Sequence, residues 1–566
     1  MTRPDQLDLV FLWHMHQPDY RDRLHGEFIL PWTYLHAIKD YTDMVAHLER
    51  HPTIRTVVNF VPVLLEQIED YVDQFASGDY RDPLLRLLAT ENLDGLAQSD
   101  QQAVLDSCFR CNHSTMLTPF PRFRRLYDIH QHLFQCCDDS MAYLSGSYFS
   151  DLLCWYHLVW MGETERRSQP LLAEMMAKGS GFTFEERKRL LALMGEILAG
   201  IVPRYRALAG SGQIELSATP YSHPLAPLLL DLKSARESLP EAPLPRASGY
   251  AGGRHRVQAQ ITRAMETHEA HFGKPPVGMW PAEGALSQKM LELLAEQGCR
   301  WTASSESVLA NSLRAVSGDM SNRPAYLYHA WQSEGAPGLS LFFRDERLSD
   351  FIGFEYSKWH GRDAALHFVA QLEGILDHTP EGAPPPLICV MLDGENAWEH
   401  YPYNGYYFFE DLYALLEKNP RIRTTTFAEY LERPGIPRGT LPHLTAGSWV
   451  YGTFSTWIGD VEKNRAWDVL CAAKDSFDRM IGSGRLSPEQ QQAATEQLEV
   501  CESSDWFWWF GDYNPSQAVA SFDQLFRLNI ARLYETIGLT PPVELEHPIS
   551  HGGGAAEGGG TMRRAT

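Results

Sequence analysis

Seven short apolar runs in this chain each end in polar or charged residues, and that repetition constrains the fold more than any other feature. Leu9-Val10-Phe11-Leu12-Trp13 runs into His14-Met15-His16-Gln17-Pro18. Thr56-Val57-Val58 leads to Asn59, and Ile214 and Leu216 flank Glu215 ahead of Ser217. Val277-Gly278-Met279-Trp280 leads to Glu283, and Arg300-Trp301-Thr302 leads to Ser304-Ser305-Glu306. Leu339 to Phe343 ends in Arg344-Asp345, and Leu387-Ile388-Cys389-Val390-Met391-Leu392 ends in Asp393-Gly394-Glu395. Short apolar runs of this kind read as buried strands. Strands with functional groups at one end, separated by helical stretches, predict an α/β fold of the βα-barrel type. In such barrels the chemistry sits at the carboxyl ends of the strands. Pattern alone does not choose between seven and eight strands.

Residues 66–210, between the second and third runs, read as a helical insertion. Its last helix opens with a Thr183/Glu186 capping box, repeats apolar residues from Leu190 to Ile201, and stops at Gly210-Ser211-Gly212. The barrel with this insertion is expected over residues 1–440. Over 441–547 the pattern becomes helical: one helix over about 465–481, one from Ser487 with Pro488 at its first position, and one ending at Gly538. A C-terminal helical bundle that completes the cleft is expected there. Residues 548–566 read as a flexible glycine-rich tail.

A length of 566 residues fits a large barrel with an appendage. A net charge of −23 argues against nucleic acid and anionic membranes as partners, and suits a neutral substrate such as a glycan. Nine cysteines are too few and too irregular for a disulfide scaffold. Cys108 and Cys111, with Cys136-Cys137, loosely resemble a zinc ligand set, but in helical surroundings and at the wrong spacing. The N-terminus has no apolar signal region, and the most apolar run, near Leu152 to Met161, contains His157 and is too short to span a bilayer. A soluble, cytoplasmic protein is expected. No internal repeat, phosphate-cradling glycine loop or serine-nucleophile elbow stands out.

Several constellations carry possible chemistry. Asp393 and Glu395 are two apart, so on an extended strand they face one side. Crowded acids cannot both ionise freely, which suits a general acid; the alternative is a pair of solvated acids in a capped loop. Trp398, Tyr401, Tyr403, Tyr406 and Tyr407 follow, and suit the flat faces of sugar rings. His14 and His16 alternate on a strand end and, with His223, fit metal ligands, sugar-hydroxyl partners or core histidines; sugar hydrogen bonding is the favoured reading. Trp280 offers a stacking surface. Glu283 precedes a helix expected over about 286–296, whose dipole would hold it ionised for nucleophilic or basic work, unless it is a simple helix-start acid. Arg344, next to Asp345 and near Asp350, could orient an acid, bind hydroxyls or serve as a structural ion pair. Trp449, Trp457, Trp506, Trp508 and Trp509, with Asp460, Asp505 and Asp512, suit sugar subsites or interface packing.

Five motifs in order resemble glycoside hydrolase family 57. They are His14-Met15-His16-Gln17-Pro18; Gly212-Gln213-Ile214-Glu215 with Tyr221-Ser222-His223-Pro224; Gly278-Met279-Trp280-Pro281-Ala282-Glu283; Leu392-Asp393-Gly394-Glu395-Asn396-Ala397-Trp398-Glu399; and the segment around Trp457-Ile458-Gly459-Asp460. The fourth looks most like the α-amylase and amylopullulanase branch, not the branching-enzyme branch. The resemblance implies an incomplete (β/α)7 barrel followed by a helical domain. It also implies action on α-glucans with retention, and no catalytic metal or organic cofactor. It places the nucleophile on Glu283 and the general acid/base on Asp393, with His14, His16, His223, Trp280 and Trp457 as substrate contacts. Pro281-Ala282-Glu283 departs from the Leu-Pro-Glu of many members, which puts the subsite shape in question.

These readings give a retaining α-glycosidase or 4-α-glucanotransferase, with catalytic carboxyls about 5–5.5 Å apart. Glu395 and Glu215 would help keep Asp393 protonated. Glu215, Arg344, Glu395, Trp398 and Asp460 join the expected substrate contacts. A metal-dependent carbohydrate hydrolase or deacetylase using His14 and His16, and a glucan-binding protein without turnover, are the competing readings.

Overall fold

The structure is a computed structural model, and it describes residues 3–136, 140–316 and 320–554. Seven parallel strands form its centre: β1 (Leu7–Met15), β2 (Thr56–Phe60), β3 (Ile214–Ala218), β4 (Gly278–Met279), β5 (Trp301–Ser305), β6 (Ser340–Arg344) and β7 (Leu387–Asp393). They are the seven runs of the sequence. Their order in the sheet is β7-β1-β2-β3-β4-β5-β6. The sheet curls until its two ends meet, but β6 and β7 share no ladder. They touch through the Asp345 N–H donating to Cys389 O at 2.8 Å and Arg344 Nε donating to Met391 O at 2.8 Å. The barrel is therefore incomplete. A short strand, Ala330–Ser333, pairs antiparallel to β6 and extends that edge.

Alternation along the strands decides what faces inward. Val10 and Leu12 of β1, Val57 of β2, and Cys389 and Met391 of β7 pack with Trp301 and Phe342 inside the barrel. Leu9, Phe11 and Trp13 point outward, under the helices. The inward parity of β1 continues to His14, and that of β7 to Asp393. The register pairs His14 with Asp393, His14 with Asn59, and Asn59 with Ser217. One layer at the carboxyl end thus spans four adjacent strands.

The insertion is helical, from Pro62–Ser77 through Phe184–Gly210, and the last helix carries the Thr183/Glu186 capping box. The C-terminal region forms helices Val461–Gly482, Pro488–Cys501 and Ser516–Thr536. The first starts four residues before its expected position because Asp460 caps it, accepting from the Glu462 and Lys463 amides. The tail expected to be free from 548 is docked at its start. The Ile549 and Ser550 amides donate to Asp523, and Gly554 bridges Pro515. Residues 555–566 lie outside the described residues, as does Cys137. Cys108 is buried, and burial raises the Cys108 and Cys111 thiols, the latter to about 12, so both stay protonated at neutral pH. Among the described residues no helix is long and apolar enough to cross a membrane.

Candidate active site

The carboxyl-end layer gathers acids and imidazoles under the C-terminal region. His14 Nδ1 lies 2.6 Å from Asn59 Oδ1, and His14 Nε2 lies 3.0 Å from His223 Nε2. His223 Nδ1 lies 2.8 Å from the Ser504 hydroxyl, which in turn stands 3.4 Å from Glu283 Oε1. Ser504 has one proton, so it serves His223 or Glu283 at any moment, not both. Burial and the neighbouring His16 pull His14 down to about 3, and burial holds His223 well below its usual value, so both rings are neutral. His16 stacks on His223 with ring centroids 3.7 Å apart and meets both oxygens of Asp505 at 3.0 Å.

Glu283 sits in a tight turn, Ala282–Gly284, with left-handed backbone (φ +58°). His223 is left-handed too (φ +65°). Side chains other than glycine take this conformation at a cost of about 1 kcal/mol or more, and such strain concentrates at functional sites. The turn is held from above. The Trp449 amide donates to Glu283 O at 2.9 Å, and its indole N–H donates to Glu283 Oε2 at 2.9 Å. The expected helix-dipole effect on Glu283 is not what the structure provides. The next helix begins only at Gln288, capped by Ser287, and burial with the charges of Asp393 and Asp505 raises Glu283 well above the usual carboxylate range. Asp393, at the end of β7, opens partly to solvent, and burial raises it to about 6 even though Asn396, donating at 2.8 Å, and the charges of His16 and Arg344 pull it down. The site therefore carries bound proton near neutrality, shared among coupled acids.

Glu395 adjoins Asp393 but turns towards β1. Its Oε1 accepts from the His16 amide at 3.1 Å and Gln17 Nε2 at 3.3 Å, and burial plus the Asp393 charge raise its pKa strongly. Gly394 makes this bend possible. A Cβ there would lie 2.1 Å from Met15 Sδ, and its amide donates to His14 O at 2.7 Å. Arg344 pairs with Asp350 at 2.9 Å and lies 5.8 Å over Trp449, so it bears on the site electrostatically; Asp345 caps the next helix instead.

Several expected contacts lie elsewhere. Glu215 faces into the barrel but two residues below the Asn59–Ser217 layer, where it accepts from Trp301 Nε1 at 2.7 Å and the Ala428 amide at 2.8 Å. Trp398 is 1% exposed and packs on Trp13 and Phe409; the next apolar layer claims it because its ring faces outward. Trp457 is fully buried against Trp508, which is interface packing, and Asp460 is a helix cap. Trp280 is buried as well, 6.1 Å from His14 and 5.1 Å from Trp449, so it backs the site and presents no open face.

Other groups complete the site: Asp505, which the sequence offered for sugar subsites or packing, and Ser504, which it did not single out. Ser504 and Asp505 come from the C-terminal region, more than 100 residues after β7. They are placed by an antiparallel bridge between Pro224 and Ser503, by the Ser504 amide donating to His223 O at 2.9 Å, and by a buried ion pair of Glu502 with Arg256 at 2.8 Å. An acid immediately before the apolar run Trp506-Phe507-Trp508-Trp509 was the available signal. Asn59, at the end of the second apolar run, was another.

Among the described residues, His16, His223 and Asp505 form the group whose donor atoms, all within 4.8 Å of one another, suit a metal ion. Their rings lie nearly parallel (18°), so the in-plane lone pairs of the two imidazoles run side by side and do not converge on one point. As built, the group matches hydrogen bonding to hydroxyls better than coordination.

Fold and site together define an incomplete (β/α)7 barrel enzyme type with coupled buried carboxylates at the strand ends. Residues 10–440 match the family model of glycosyl hydrolase family 57, and the chain belongs to that family. A curated relative, a 1,4-alpha-glucan branching enzyme of Thermococcus kodakarensis, is 21% identical over 373 residues, 54% of this chain and 51% of that protein. The chain thus matches about half the length of that relative. Among solved structures, a GH57-type branching enzyme from Pyrococcus horikoshii superposes with TM-score 0.59 at 17% identity, covering 95% of this chain and 93% of the other. An alpha-amylase from Thermotoga maritima superposes with TM-score 0.53 at 13% identity, covering 94% and 93%. A 4-alpha-glucanotransferase from Thermococcus litoralis gives 0.50 at 13%, covering 94% and 60%. At these identities the likeness is one of fold, and it does not choose among the activities.

Proposed function

We propose that the protein is a retaining α-glycosidase of α-glucans, with Glu283 as nucleophile and Asp393 as general acid/base. The observation that carries this reading is the placement of two acids at one end of the barrel, Glu283 in the left-handed turn after β4 and Asp393 at the end of β7, with the Asp393 charge acting to raise Glu283. A shared proton suits Asp393 for protonating the leaving glycosidic oxygen. Glu283 must then be ionised; the Trp449 indole and Ser504 hydroxyl favour its anion, whereas burial and the charges of Asp393 and Asp505 favour its protonated form, so the proton has to be released from these acids when substrate binds. Attack on the anomeric carbon forms a glycosyl–Glu283 ester. Asp393, now ionised, takes a proton from water or a sugar hydroxyl, which releases the sugar with its configuration kept. His16, His223 and Asp505 would hold the hydroxyls of the reacting sugar.

The test is product analysis after incubation with maltooligosaccharides, glycogen and pullulan, with the anomeric configuration of the first product read by NMR. Initial release of the β-anomer, or absence of any cleavage or transfer, sinks the reading. Longer or branched products would assign transfer to the same two carboxylates. Stoichiometric zinc with chelator-sensitive turnover would replace the mechanism with metal-assisted hydrolysis.

A further inference from the structure

Asn59, His14, His223, Ser504 and Glu283 stand in one unbroken line of polar contacts. Asn59 Oδ1 lies 2.6 Å from His14 Nδ1, and His14 Nε2 lies 3.0 Å from His223 Nε2. His223 Nδ1 lies 2.8 Å from Ser504 Oγ, which faces Glu283 Oε1 at 3.4 Å. The rings of His14 and His223 meet end to end, with planes only 20° apart and centroids separated by 5.1 Å. With their Nε2 atoms at 3.0 Å, that arrangement is an in-plane hydrogen bond. His16 stacks face to face on His223 instead, at 3.7 Å.

Each group between Asn59 and Glu283 has a single proton to give. A neutral imidazole donates from one nitrogen and accepts at the other, and a hydroxyl has one hydrogen. Burial keeps both rings neutral. All the bonds in the line therefore point the same way. With Asn59 Oδ1 towards His14, His14 donates to Asn59, His223 to His14 and Ser504 to His223. Ser504 then turns a lone pair to Glu283, which can bond it only as the protonated acid. With the Asn59 amide reversed, its Nδ2 donates to His14, every bond reverses, and Ser504 donates to the Glu283 anion. The other partners of Asn59 accept either orientation. Thr219 Oγ1 lies 3.0 Å from Oδ1 and Ser217 Oγ 3.0 Å from Nδ2, and a hydroxyl both donates and accepts. Of the two contacts of Ser504, the one to His223 is the shorter, as the first direction requires.

We propose that Asn59 is a positioning residue for the nucleophile: the orientation of its buried amide sets the direction of the line, and so decides whether Ser504 donates to His223 or to Glu283. This rests on Glu283 as the proposed nucleophile. It adds a residue of β2, four contacts away, to the groups that govern the ionisation of that acid. The charged and titratable groups that face the line from other elements are His16, Asp393 and Asp505, and the Trp449 indole donates to the second oxygen of Glu283. All of these stay in place when Asn59 is changed.

The test reads the acidic limb of kcat/KM on a maltooligosaccharide in two variants of the full-length protein. In Asn59→Asp the carboxylate can only accept from His14, so Ser504 is committed to His223. The Glu283 anion loses a donor, and the limb should move up by about one pH unit. Asn59→Leu gives His14 Nδ1 no acceptor. Folded proteins tolerate a bare buried acceptor better than a bare N–H, so His14 carries its proton on Nε2 and the line reverses. The limb should then move down by about as much. Introduced into Ser504→Ala, which cuts the line, Asn59→Leu should leave the limb where it is, and Asn59→Asp should keep only the effect of its added charge. Shifts of the same sign, no shift, or an Asn59→Leu shift that survives Ser504→Ala overturn the proposal and leave the proposed function intact. If Glu283→Gln turns over like wild type, the functional reading fails and the role of Asn59 with it. Should Asn59→Asp fail to fold around its buried carboxylate, Asn59→Leu decides alone.

Discussion

Asp393→Asn should cost activity and add stability, by amounts that depend on pH in a defined way. Folding raises the carboxyl from 3.8 to about 6. An acid that binds its proton more tightly when folded opposes stability above its folded pKa and contributes nothing below its unfolded one. The shift of about two units corresponds to about 3 kcal/mol, present in full at about pH 8 and falling to about 1 kcal/mol near pH 4.5. Asparagine removes the titration and still accepts from Asn396 through its amide oxygen. The variant should therefore be more stable than wild type at pH 8, by up to about 3 kcal/mol, with a gap that narrows as pH falls. Thermal scans at one fixed rate, run at both pH values on wild type and variant, read this gap. In parallel, kcat on maltooligosaccharides should fall about 10²–10⁴-fold. A glycosyl fluoride, whose leaving group needs little protonation, should lose much less. A gap that does not change with pH, or a variant less stable at pH 8, would refute the burial argument. Equal losses on both substrates would refute the acid role.

Three further outcomes follow from the same geometry. Trp449→Phe removes a hydrogen bond that lowers the Glu283 pKa; since the nucleophile must be ionised, the acidic limb of the kcat/KM profile should move to higher pH. Asp505→Asn removes a charge that raises both Glu283 and Asp393, so both limbs should move to lower pH, together with a higher KM. Glu502→Ala leaves the buried Arg256 with Glu499 alone, at 3.8 Å, and should cost up to about 3–5 kcal/mol, seen as a lower melting temperature; unchanged melting would show that residues 502–505 are held by other contacts.

Much of the barrel was legible because strand runs are local. Six consecutive apolar residues before Asp393 suit a strand buried on both sides, as in a parallel sheet, and the parity of a strand settles which of its residues share a face. That local rule put His14 and Asp393 on the inner face, and register with the neighbouring strand brought them to one layer. It also placed Glu215 on the inner face, but could not say at what height. Height depends on register with neighbouring strands, and the structure sets Glu215 two residues too low.

Aromatic residues were read less well. An indole stacks equally well on a sugar and on another ring, and sequence does not distinguish the two. Trp398 and Trp457 went to the core, whereas Tyr403 and Tyr407, from the same segment as Trp398, came to the surface. The choice was made by Asn404, whose inward side chain reverses the chain at that point.

By itself, then, the sequence determined seven strand runs and the end of the sheet where acids collect; the two acids proposed for catalysis came from the resemblance of its motifs to glycoside hydrolase family 57. Tertiary structure alone decided that Ser504, Asp505 and Trp449 complete the site, because they arrive from a region joined to the barrel by long-range contacts. It also decided the protonation of Glu283. A pKa reflects burial and every charge nearby, and neither exists until β4, β7 and the C-terminal helices have packed together.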